Sequence, residues 1–122
     1  MHDEKDGDVY RTYKLTYELE WTKGTLKNIG CHNSWFATSD FCITITDENG
    51  EEIGKSSDSI CYPKEDKAFQ MNTKYLVTIE ATRNPGPPEP QFSKDLWIQP
   101  NRGETDGSTE VTCKISKIKL YK

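Results

Sequence analysis

Histidine is nearly absent from this chain of 122 residues, with His2 and His32 alone. His2 sits in an acidic terminal run. That leaves one imidazole, too few for a histidine relay, and no Ser–His–Asp order or GxSxG elbow accompanies it. There is no Gly-rich phosphate loop. None of the four cysteines, Cys31, Cys42, Cys61 and Cys113, forms a CxxC pair, which argues against zinc. No apolar run approaches the roughly 20 residues of a membrane helix, so no membrane partner is expected. Basic residues are the minority, with 16 Lys and Arg against 20 Asp and Glu and a net charge of −4. That sign excludes nucleic acid as the natural partner, because a phosphate backbone calls for a basic surface. Hydrophobic residues are only 33% and charged residues 30%, which predicts a thin, two-layer core.

What the sequence does hold is period-two alternation. In "YKLTYELEW", Tyr13, Leu15, Tyr17, Leu19 and Trp21 fall on one face, and Lys14, Thr16, Glu18 and Glu20 on the other. "FCITITDENGEEI" reads as a hairpin with Phe41, Ile43 and Ile45 inward and the "ENG" stretch at the turn. "KYLVTIEATR" places Tyr75, Val77, Ile79 and Ala81 together, and "KDLWIQP" is a strand stopped by Pro100. "TKGTLKNIG" is a turn and a short strand or loop. A further short strand is expected at Ile60 to Tyr62, inside an otherwise loop-like stretch. In the closing "TEVTCKISKIKLYK", the phase of Val111, Cys113 and Ile115 is opposite to that of Ile118 and Leu120, and the slip at Ser116–Lys117 predicts a β-bulge. "NPGPPEP" is a stiff surface loop. No helix and no repeat emerge. The expected fold is all-β: one antiparallel β-sandwich of two sheets, jelly-roll-like, over residues 10–122, after a flexible boundary at 1–9 that reads as the end of an excised module.

The carboxylates lie in charged runs, the usual composition of solvated faces, so no catalytic pair is indicated and the domain is not expected to be an enzyme. "TDENGEE" has a calcium look but lacks the ligand ladder of a calcium loop and reads as a turn. Asp106 and Glu110 in the "TDGSTE" turn offer another oxygen cluster. No cofactor is expected, and structural calcium is open but unlocated. The cysteines allow two disulfides, with Cys31 and Cys42 the favoured pair because they bracket one short loop, against four free thiols.

Some aromatics fall outside the core pattern. In "DLWIQ" the phase puts Trp97 beside Gln99, away from Leu96 and Ile98. A flat ring with a neighbouring amide suits the C–H face and hydroxyls of a sugar; the alternatives are that Trp97 faces the core or is covered by the Pro-rich loop. Trp35 and Phe36 are adjacent in a loop, exposed at its tip or plugging the end of the sandwich. Tyr62 lies in another loop. Lys114, Lys117 and Lys119 form a basic row that could meet a uronic-acid polymer; protection of an edge strand is the favoured reading.

The order "TYKLTYELEW", "FCITITDENGEEI", "KYLVTIEAT", "KDLWIQPNRG" and "CKISKIKLY" resembles the jelly-roll carbohydrate-binding modules of plant-cell-wall-degrading enzymes, over roughly residues 12–121. The resemblance implies non-catalytic binding of a polysaccharide (soluble β-glucan, hemicellulose or pectin), and only Trp97 and Gln99 map onto a matching strand position. Trp97 is then the stacking platform and Gln99 its polar companion, with Trp35, Tyr62, Arg83 and Lys114 contributing. A secreted, extracellular, monomeric module within a larger multi-domain enzyme would follow. The four cysteines depart from the pattern, and the modest number of outward aromatics disfavours a crystalline surface. The rival reading is an immunoglobulin-like, protein-binding β-sandwich that uses the Trp35–Phe36 loop for adhesion, scaffolding or inhibition.

Overall fold

The computed structural model describes residues 11–33, 38–83, 96–104 and 110–121, with the side chains of 11–13, 32–33, 38–41, 82–83 and 96–97 outside that description. Among the described residues there is no helix. Eight strands run in order: β1 (Arg11–Gly24), β2 (Ile29–Asn33), β3 (Thr38–Thr46), β4 (Glu52–Ser56), β5 (Ile60–Cys61), β6 (Lys74–Arg83), β7 (Leu96–Pro100) and β8 (Val111–Tyr121). They make two antiparallel sheets, β4-β3-β6-β1-β8 and β5-β2-β7. The 1–9 boundary, the "NPGPPEP" loop, most of the "TDGSTE" turn and the Trp35–Phe36 tip lie outside the described residues.

The alternation read from the sequence sets the faces. Leu15, Tyr17 and Leu19 on β1 are buried opposite Ile79, Val77 and Tyr75 on β6, and Ile43 and Ile45 on β3 continue the same layer. Ile29, Cys31 and Cys61 from the smaller sheet join these residues in one hydrophobic cluster, with Trp21 and Ile98 packed against it. Residues of both sheets share this cluster, which is how a chain this polar still buries an apolar core. The Tyr17 hydroxyl is buried without a hydrogen-bond partner among the described residues, and burial pushes its pKa up.

Turn chemistry places the strand ends. Between β3 and β4, the Asp47 carboxylate accepts hydrogen bonds from the Asn49 and Glu51 amides, both at 2.9 Å, and Gly50 takes φ 80°. The "TDENGEE" stretch is therefore a hairpin turn whose aspartate is engaged by backbone donors. No group of three or more candidate metal ligands occurs among the described residues. In β8 the register against β1 shifts between Thr16↔Lys119 and Glu18↔Ser116, and Lys117 sits at φ 53°. This is the bulge that the phase slip predicts, two residues of β8 facing one of β1.

The Cys31–Cys42 disulfide is not formed: all four cysteines are free thiols. The strand pattern is the reason. Cys31 faces the core from β2, whereas Ile43 and Ile45 occupy the core side of β3 and leave Cys42 on the opposite side, 3.8 Å from the Thr44 hydroxyl.

Candidate functional site

The outer face of β5-β2-β7 carries a polar array built on one glycine. Ile29 and Cys31 point inward, so Gly30 between them faces out, paired with Ile60 on β5 and Gln99 on β7. A Cβ at Gly30 would stand 2.6 Å from the Arg102 Cβ and 2.8 Å from the Ser59 carbonyl. The missing side chain is what lets the stem of Arg102 lie across the sheet. From there the Arg102 guanidinium donates to Gln99 Oε1.

Two asparagines hold the turn that supplies Arg102. Asn101 adopts φ 61°, a conformation that Asn tolerates better than most residues. Its Oδ1 accepts from the Lys27 amide at 2.6 Å, and its Nδ2 donates to the Thr25 carbonyl at 2.7 Å. Asn28 is fully buried and reciprocates: Oδ1 accepts from the Arg102 amide, and Nδ2 donates to the Arg102 carbonyl, both at 3.0 Å. The same Nδ2 reaches Glu104 Oε2 at 3.4 Å. That carboxylate oxygen accepts the Tyr62 hydroxyl at 2.6 Å. The ring of Tyr62 is 52% exposed. Its hydrogen bond to Glu104 raises the phenol pKa first of all, so the hydroxyl stays a donor. Lys27 Nζ stands 4.0 Å from the other Glu104 oxygen.

The structure thus brings together Tyr62 and Gln99 and adds Arg102, Glu104, Asn28 and Lys27. Trp97 pairs through its backbone with His32, two positions along β7 from Gln99; its side chain lies outside the described residues. Arg83 ends β6 opposite Arg11, and Lys114 lies on β8 opposite Glu20, so both belong to the five-stranded sheet and not to this array. Trp35 lies outside the described residues. The residues that sequence reasoning missed had one visible signal, the Asn-Arg-Gly turn after β7. Nothing local announces that Asn28 and Tyr62 fold against it.

Chemically, the array offers an exposed ring, a guanidinium, an amide, a carboxylate and an ammonium, each held by a neighbour. Such a set stacks and hydrogen-bonds. Burial pushes Cys31 up to about 12, partly offset by the Arg102 guanidinium, and pushes Cys61 up to about 11, with Cys42 and Glu52 adding to the rise. Cys113 is also raised by burial.

Neutral thiols are favoured in the folded state, so their contribution is fully present below pH about 9 and is lost as pH rises toward 11 to 12. Two outcomes are expected. Urea midpoints should fall above pH about 9. At pH 8, a thiol reagent should label Cys31 and Cys61 slowly in the folded protein and fully in denaturant without any reductant. A need for reductant would indicate a disulfide and contradict the free thiols.

A cleft of about 590 Å³ lies elsewhere, at the β3–β4 turn, lined by Asp47, Glu51, Glu65, Asp66, Lys67 and Tyr75 among others. Lys67 is engaged by Glu51, and the Tyr75 hydroxyl accepts the Gln70 amide at 2.6 Å. Comparison of the chain with family models, curated proteins and solved structures finds no match.

Proposed function

We propose that this domain is a non-catalytic carbohydrate-binding module, a jelly-roll-like β-sandwich that holds a soluble plant cell-wall polysaccharide. One observation carries the reading: the Tyr62–Glu104–Asn28–Arg102–Gln99 network sets an exposed aromatic ring beside fixed donors and acceptors on one sheet face. Sugar recognition asks for that pairing of platform and polar groups. Preorganisation lowers the ordering cost that would otherwise weaken binding of a flexible chain. The nested pairing of β1 with β8, β2 with β7 and β3 with β6 supports the jelly-roll part, since that fold winds a long hairpin on itself. In this reading the module is secreted and monomeric. It acts by raising the local concentration of an attached enzyme on its substrate.

The test is isothermal titration with soluble β-glucan, xylan and polygalacturonate, on the wild type and on Tyr62→Ala, Arg102→Ala and Trp97→Ala. Tyr62→Ala and Arg102→Ala should each weaken binding of the preferred polymer by about 10-fold or more, the scale of one stacked ring or one charge-assisted hydrogen bond. Binding that survives both changes would move the site elsewhere. Silence across the whole panel would end the carbohydrate reading.

A further inference from the structure

We propose that the free edge of β8 docks an extended polypeptide segment in which acidic and apolar residues alternate, added as a further strand to the five-stranded sheet. Among the described residues β8 ends that sheet. Every second residue of an end strand turns its N–H and C=O away from the sheet, toward any chain that can pair there.

The bulge makes this edge two-sided. Without it, Ile118 and Leu120 would continue on the outer side with Ser116, which lies opposite Glu18. The extra residue returns them to the core side, with Leu120 opposite Leu15. Leu15 is 7% exposed, yet Ile118 and Leu120 remain 58% and 54% exposed. The strand therefore turns two large aliphatic side chains to the apolar layer at a place where that layer stops. An added strand with apolar residues on the same side would extend the layer over them.

The outer side selects the partner. Lys114, Lys117 and Lys119 lie there with Tyr121, and no acidic residue occurs from Val111 to Lys122 in a chain whose net charge is −4. On β1, Glu18 takes Lys117 at 3.4 Å and Glu20 lies opposite Lys114, whereas Lys119 lies opposite Thr16 and Lys14 stands 5.3 Å over the Tyr121 ring, so the basic excess sits at the Lys119–Tyr121 end. A second copy offering its own β8 would set lysines against lysines. A segment with Asp or Glu on its outer side would meet Lys114 and Lys119 across the edge. Edge lysines that only deter aggregation do not call for an aliphatic pair turned to the core side.

The experiment uses the full chain and dye-labelled peptides of alternating Glu and Val or of alternating Lys and Val, read by fluorescence anisotropy and amide hydrogen exchange. The Glu peptide should bind saturably, protect β8 amides and weaken with salt, and the Lys peptide should not bind. The surface double variant Ile118→Ser/Leu120→Ser should weaken the Glu peptide by about tenfold. The charge reversal Lys114→Glu/Lys119→Glu should lose the Glu peptide and gain the Lys peptide, a swap that misfolding would not produce. The proposal is overturned by no binding up to roughly 1 mM, or by binding that both double variants leave unchanged. Sedimentation showing a dimer that these variants dissociate would assign the edge to a second copy. Binding of polygalacturonate that the charge reversal abolishes, with no peptide binding, would assign it to an acidic glycan. A gain in peptide affinity on removing residues 1–10 would assign it to the chain's own acidic terminus. Because this edge and the Tyr62 array lie on different sheets, either can fail without the other.

Discussion

Asn28→Ala is expected to lower the stability of the domain by about 3 kcal/mol, the range for breaking a buried hydrogen-bond network. The side chain is fully buried and makes three hydrogen bonds, to the Arg102 amide and carbonyl and to Glu104. Alanine removes all three and leaves the Arg102 amide and carbonyl without that partner. Asn28 also anchors the turn through its own backbone, since its carbonyl accepts the Asn101 amide at 2.8 Å. The measurement is a urea unfolding curve, with an unchanged slope and a lower midpoint. Because Asn28 acts on Glu104 and Arg102 without reaching the surface, its loss should also weaken the proposed polysaccharide binding under conditions where the variant is still folded. A stable Asn28→Ala protein would mean that Asn101 and the strand pairing hold the turn without the Asn28 side chain.

The second large effect is at Gly24, where β1 meets the start of β8. Gly24 has φ 82°, and a Cβ there would stand 2.2 Å from the Glu110 carbonyl oxygen and 3.0 Å from the Val111 Cα. That same carbonyl accepts the Thr25 amide at 3.0 Å. Alanine must move backbone, and it carries the left-handed penalty of about 1–2 kcal/mol in addition. Gly50 supplies the matched control, with φ 80° and nothing within 4 Å of its Cβ position. Gly50→Ala should cost about 1 kcal/mol, and Gly24→Ala about 3 kcal/mol or more. The difference isolates the clash. Equal costs would show that the β1–β8 junction yields freely.

Much of the fold was legible because its signals are local. Period-two burial on β1, β3 and β6, the turn at Gly50 and the bulge at Lys117 all follow from a residue and its near neighbours. The site was legible only in fragments. Gln99 and Tyr62 stood out as outward residues, but their connection through Glu104 and Asn28 joins segments far apart in the chain, where no periodicity reaches. The favoured Cys31–Cys42 pairing failed for the same reason. Closeness in sequence around a loop says little once the two cysteines lie on strands of different sheets, facing different ways.

The sequence by itself determined that this chain would be all-β, which side of each long strand would be apolar, and where β8 would change phase. These follow from alternation and from residues that tolerate unusual backbone angles. Only the tertiary structure decided the strand order, the free thiols, the packing of Arg102 across Gly30 and the exposure of Ile118 and Leu120 on the core side of an end strand. Each of those depends on which distant segment arrives alongside. Strand pairing satisfies the same backbone donors and acceptors whatever the neighbour, so the choice rests on the packing of whole faces and not on any one stretch of residues.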